Sequence, residues 1–202
     1  DLFTALDVSP DKADVLLTIG ETYHNIGEFN LAVEYFTHVI ELEPHNDIIF
    51  YRRARSHRSL DNLDAALADF SRASELSPAK LLYYIEPANL SIELGRHNDA
   101  VAYLTKAIEL SDEDPQLYFL RANEFEILGN HRLADDDYAQ AIRLDPLNIE
   151  LVYRRALALL AVGDFEASLN VTRVGLQISA DDPRFLVASG HANLGLGLTE
   201  AA

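Results

Sequence analysis

The chain has 202 residues, nearly half of them apolar, and a formal net charge of −17 from 16 basic and 33 acidic side chains. That balance argues against nucleic acid as a partner, because phosphate binding wants a basic face, and the only lysines are Lys12, Lys80 and Lys106. Without cysteine there is no disulfide, thiolate nucleophile or cysteine–metal site, and no apolar run approaches the roughly 18 residues that span a bilayer.

Residues 1–12 read as the tail of a helix, with Leu2, Ala5, Leu6 and Pro10 spaced like Phe36, Val39, Ile40 and Pro44 later on. The chain therefore opens inside a repeat and is expected to be a piece of a longer protein. In residues 13–46, Val15, Leu16, Ile19, Tyr23 and Ile26 recur at three- and four-residue steps, which is one face of a helix. Gly27-Glu28 breaks that stripe. Phe29, Ala32, Val33, Phe36, Val39 and Ile40 form a second stripe, which Pro44 ends. One unit is thus helix, tight turn, helix.

The same unit recurs at 47–80, 81–114, 115–148 and 149–182, with one further first helix at 183–202. A small residue returns every 34 positions: Gly20, Ala54, Ala88, Ala122, Ala156, Gly190. A fixed period of this length means stacked supersecondary units. The turn column reads Gly27, Asp61, Gly95, Gly129, Gly163, Gly197, and a glycine there supplies the left-handed residue that ends a helix. Second helices carry small columns at Ala32, Ala66, Ala100, Ala134, Ser168 and at Val39, Ala73, Ala107, Ala141, Gly175. Between these lies a bulky column of Phe36, Phe70, Leu104, Tyr138 and Thr172. Asp114-Pro115 and Asp182-Pro183 each put an N-cap before a proline at the first helical position.

These columns resemble the tetratricopeptide repeat family. The carrying residues are the glycine or alanine of the first helix, the aromatic a turn later (Tyr23, Phe125), the alanine and aromatic of the second helix, and the closing proline. The resemblance implies an all-α, right-handed superhelical solenoid of antiparallel helix pairs. Two departures stand out. Ser168, Thr172 and Gly175 replace the usual alanine, aromatic and alanine, so the fifth second helix is expected to pack more loosely. Pro87 lies inside the third first helix, where it removes a backbone donor and crowds the carbonyl of Tyr83, so a kink, a break or a later helix start is expected.

No chemistry-bearing constellation emerges. The seven histidines are scattered singly, and none forms the paired spacing of a zinc helix. Asp135, Asp136 and Asp137 point about 100° apart on a helix and do not converge. No phosphate loop or nucleophile elbow is present. No catalytic residue, metal or cofactor is therefore expected. Arg53 and Arg121 share a column, and Asp69 and Asp137 share another, which suggests an Arg–Asp pair within each unit. Arg155 faces Val171 instead and is expected to reach Asp137.

The resemblance also implies that first helices line a concave groove where peptides lie. The groove columns supply Tyr51, Arg55, Arg58, Asn89, Phe119, Asn123, Glu126 and Tyr153. Two arginines on so acidic a protein suggest an acidic or carboxylate-bearing ligand. The competing reading pairs them with Glu86, Glu93 or Glu126. Some family members clamp a chaperone's terminal carboxylate with lysines and asparagines, but the matching columns here hold Leu17, Glu21 and Ile85. The expected function is a non-catalytic protein–protein interaction scaffold or adaptor that takes a peptide or helix. The alternatives are a regulatory or substrate-positioning segment of a larger enzyme, or a self-assembly module. The last draws on apolar ends, Leu2, Phe3, Leu6 and Val8 at one and Phe185, Leu186, Val187, Leu194, Leu196 and Leu198 at the other.

Overall fold

In the computed structural model, residues 12–198 are described; they form eleven helices and no strand. In order these are α1 (Lys12–Asn25), α2 (Phe29–Leu42), α3 (Asp47–Ser59), α4 (Leu63–Leu76), α5 (Leu82–Glu93), α6 (His97–Leu110), α7 (Pro115–Ile127), α8 (His131–Leu144), α9 (Ile149–Val162), α10 (Phe165–Ile178) and α11 (Pro183–Gly195). Leu2, Phe3, Leu6 and Val8 lie outside the described residues.

The turn column does what its composition demands. Gly27, Gly95, Gly129, Gly163 and Gly197 all have positive φ, between 66° and 85°, and Asp61 in the same column adopts φ 60°. A residue with a Cβ is strained there, and aspartate is among the few that tolerate it. Both Asp-Pro junctions cap as their sequence suggests. Asp114 accepts from the Gln116 N–H at 2.9 Å, and Asp182 from the Arg184 N–H at 3.0 Å.

The chain divides into two compact units, the first running through Leu90 and the second starting at Ser91, inside α5. In the first, Leu16, Ala32, Phe36, Val39 and Ile49 form one buried cluster, and Phe50, Ala73 and Tyr83 another. In the second, Ala122, Ala134, Tyr138, Ala141 and Leu151 are packed together. The small columns are therefore where helices approach closely, since alanine leaves room for the facing bulk.

Paired charges cross the helices of each unit. Arg53 donates Nε and Nη2 to the two Asp69 oxygens, both at 2.7 Å, and Nη1 to Thr37 Oγ1 at 3.0 Å. Two repeats later Arg121 does the same to Asp137, at 2.7 and 2.7 Å, and to Thr105 at 3.0 Å. Each arginine thus ties its own helix to the one before and the one after. Arg155 does not reach Asp137. It bonds Asp135 Oδ1 at 2.7 Å, because both Asp137 oxygens are already held by Arg121.

Three further expectations are corrected. Helix α5 runs without a break from Leu82 to Glu93 with Pro87 inside it, and it starts one residue after Leu81. The Pro87 ring is fully buried, so the lost donor is offset by apolar packing. The fifth second helix is not loosely packed: Ser168 and Thr172 are buried, and a methyl added at Gly175 would fall 2.3 Å from a Phe185 ring carbon. Phe185 itself is 0% exposed, so it is not part of an uncovered end, although Leu186, Val187, Leu194 and Leu198 on and just after α11 are each more than half exposed.

Candidate functional site

In the first unit the candidate residues sit on α3 and α5. Tyr51 is half-buried. Its ring centroid lies 5.7 Å from that of Phe70 and 5.3 Å from that of Tyr83. Arg55, one turn on, places its guanidinium 5.9 Å above the Tyr51 ring. The spacing of four residues makes that meeting obligatory on a helix. Arg55 is exposed, and its guanidinium is in no hydrogen bond or ion pair among the described residues. Arg58 differs, because it donates to Glu86 Oε2 at 3.0 Å. The pairing that competed with a ligand role is thus real for Arg58 and not for Arg55. Asn89 on α5 is half-buried, and its side-chain amide bonds nothing among the described residues.

A cleft of about 440 Å³ opens between α3 and the start of α5, lined by Ile48, Tyr51, Arg52, Arg55, Lys80, Leu81, Leu82 and Tyr83. Arg52 is paired with Glu21. Lys80 is paired with Asp47, which also accepts from the Tyr83 hydroxyl at 2.6 Å. The lysine and hydroxyl bonds outweigh burial and hold the Asp47 carboxyl below its ordinary range, while the carboxylate pushes the Lys80 ammonium up. Burial raises the Tyr51 hydroxyl, with Glu86 adding to it. Sequence columns alone missed Arg52, Lys80 and Tyr83. Lys80 in particular lies in the loop before α5, outside any helical stripe.

In the second unit Phe119 and Asn123 lie on α7 and Tyr153 on α9. The Tyr138 hydroxyl donates to Asn123 Oδ1 at 2.7 Å and lies 3.3 Å from Glu126 Oε2. Burial, followed by the Glu126 charge, pushes the Tyr138 phenol far up, and burial raises the Glu126 carboxyl. Asn123 has its oxygen occupied and keeps two N–H donors to offer. Phe119 packs 6.2 Å from Tyr138, centroid to centroid. Tyr153 meets Phe185 edge-on at 5.8 Å, and the Arg184 guanidinium covers its ring at 4.9 Å. A smaller cleft of about 150 Å³ includes Gln116, Phe119, Asp145, Asn148 and Glu150 in its lining. Gln116, Phe119, Asn148 and Glu150 stand two repeats after Ile48, Tyr51, Lys80 and Leu82, so the two clefts are equivalent positions with opposite linings.

Among the described residues, no three histidine, aspartate or glutamate side chains come together as a metal site, and no helix is long and apolar enough to cross a membrane. The candidate residues themselves offer aromatic walls, amide donors and, in Arg55, a guanidinium in no ion pair among the described residues. The model of the tetratricopeptide repeat matches residues 13–46, 49–80, 83–114 and 115–146. The chain belongs to the tetratricopeptide repeat family.

Solved structures carry the same fold. A MamA protein aligns with a TM-score of 0.70 at 16% identity, covering 85% of this chain and 94% of that one. YrrB, described as a tetratricopeptide repeat protein with an unusual peptide-binding site, aligns with a TM-score of 0.70 at 17% identity over 92% and 96%. A tetratricopeptide repeat protein from Parabacteroides merdae aligns with a TM-score of 0.66 at 15% identity over 94% and 75%. No curated protein matches the chain in sequence. Tetratricopeptide repeats are interaction modules, and this chain has the architecture of a protein-interaction scaffold.

Proposed function

We propose that this tetratricopeptide repeat chain is a non-catalytic scaffold or adaptor that takes an extended peptide segment, rich in acidic side chains, on the face of its first helices. The residues assigned to that face are Tyr51, Arg55, Arg58 and Asn89 in the first unit, and Phe119, Asn123, Glu126 and Tyr153 in the second. The reading rests on Arg55. An exposed guanidinium held on an aromatic ring, and in no ion pair or hydrogen bond among the described residues, offers the fork geometry that a carboxylate accepts in two bonds. Asn89 adds a donor and an acceptor for the ligand backbone, and Asn123 adds donors. YrrB lends support as a structural neighbour whose own description is of peptide binding.

The test is selection of a random peptide display library on the full chain, followed by titration of the recovered peptides. Acidic peptides should be enriched. Arg55→Glu combined with Arg58→Glu should weaken them at least tenfold, since losing a charge-assisted bond costs about 1.5–3 kcal/mol. Peptides that bind the double variant as tightly as the original chain, with the helical spectrum intact, would sink the proposal.

A further inference from the structure

The two equivalent clefts differ in a way that the fold does not require. In the second unit the cleft is rimmed by Asp145 and Glu150, and Glu150 is shared by Arg154 and Arg184, each at 2.8 Å. In the first unit the same positions hold Ser77 and Leu82, neither of them acidic. Ile48 and Leu82 there are 41% and 46% exposed, and no carboxylate lines the cleft. The charges around it also reduce to one. Arg52 is balanced by Glu21 and Lys80 by Asp47, which leaves Arg55 as the cation without a counter-charge. On a chain of net charge −17 such an opening is not background.

We infer that the cleft between α3 and α5 is a subsite for an aspartate or glutamate side chain immediately next to an aliphatic one. It rests on the peptide-scaffold reading and says where on that face an acidic residue is read. The carboxylate lies against the open N–H edge of Arg55, whose face is already taken by Tyr51. The neighbouring aliphatic side chain covers Ile48 and Leu82, removing their exposed apolar surface from water. Arg58 is outside the subsite, because Glu86 holds it. The occupant is an internal acidic side chain rather than a chain-terminal carboxylate, because the same cleft exposes two apolar side chains, Ile48 and Leu82, which call for further residues beside the acid.

The experiment is calorimetric titration of the full chain with three synthetic peptides. The first is an acetylated, amidated hexapeptide of alternating glutamate and leucine. The second has glutamine for every glutamate. The third is the glutamine peptide with a free terminal carboxylate. The first should bind, and the other two should be at least tenfold weaker. Arg55→Gln and Ile48→Asp should each reduce binding of the glutamate peptide at least fivefold. Arg72→Gln, on the exposed side of α4, should leave it unchanged. Equal binding of the glutamate and glutamine peptides overturns the inference. So does equal affinity of Arg55→Gln and the original chain, tighter binding of the free-carboxylate peptide, or no binding of the glutamate peptide. If Arg55→Gln is silent while Phe119→Ala weakens binding, the subsite falls and the scaffold reading stands. If neither change matters, both fall.

Discussion

Gly175 and Phe185 form a matched pair across α10 and α11. The column of Gly175 holds alanine in three of its other four repeats, so the sequence flagged a departure there. It read that departure as looseness because a column shows only one side of a contact. The other side is Phe185, ten residues on in the next helix, standing where Leu151 stands one repeat earlier. Gly175→Ala should cost about 1–3 kcal/mol, since its methyl would fall within 2.5 Å of three Phe185 ring carbons and the buried ring has no free space to enter. Adding Phe185→Leu should recover most of the loss, because Ala141 and Leu151 already pack together in the same columns. Urea unfolding of the two single variants and the double variant would measure that non-additivity. His57 is a second residue whose environment the sequence hid. Burial lowers its pKa first, Asp69 opposes, and Arg53 adds to the lowering. Its Nδ1 is buried without a partner. The unfolded chain, with histidine near 6.5, then binds more protons than the fold as pH drops. Stability attributable to His57 is full above pH 6.5 and is lost as pH falls below it toward the lowered folded value. Urea midpoints between pH 7.5 and 5.5 should decline, and less steeply for His57→Gln; identical slopes would contradict this.

At the level of helices, most of the architecture was legible. Three- and four-residue apolar steps gave the helices, the glycine column gave the turns, and Asp-Pro gave two caps. Even the Arg53–Asp69 and Arg121–Asp137 pairs were readable, since both partners recur together. Thr37 and Thr105 were not, because a hydroxyl in a stripe carries no periodic signature. The break expected at Pro87 was misjudged for a related reason. Its cost is local and can be read from the sequence, whereas the burial that offsets it is tertiary. It also occupies the arginine column, and Tyr103 stands in the matching aspartate column, so the third repeat gave up both partners together. The arginine pairs are where a single change should be most damaging. Arg121→Met leaves Asp137, only 4% exposed, with its main partner gone, and should cost about 3–5 kcal/mol. Arg121→Met with Asp137→Leu should cost far less, because no unpaired charge remains buried. Urea unfolding of the two variants checks the difference, and equal losses would mean that the carboxylate is not the cause.

For the molecule as a whole, the charge was the plainest message and it carries its own consequence. At −17 the fold repels itself, and the exposed ion pairs contribute little against that. Screening length falls from about 30 Å at 0.01 M salt to about 10 Å at 0.1 M. The thermal midpoint should therefore rise with sodium chloride over that range, and a fall would mean that ion pairs outweigh the repulsion. The face proposed for binding could be drawn from the sequence as columns of residues but not as a state of charge. Nothing in spacing says that Arg58 meets Glu86 while Arg55 meets only a ring, because that choice is made by side-chain reach across neighbouring repeats. The arginine locks, finally, bear on how the chain would respond to being pulled. Arg53 fastens α2, α3 and α4 together, and Arg121 fastens α6, α7 and α8. Each lock straddles a repeat boundary. Under tension from the C-terminal end, α11, α10 and α9 are joined among the described residues by contacts between two helices, Arg184 to Glu150 and Ser189 to Thr172, and can peel away in smaller steps. The next element to yield is a block of three helices, which must let go at once. The mechanical grain of the chain is thus coarser than its sequence period, and offset from it.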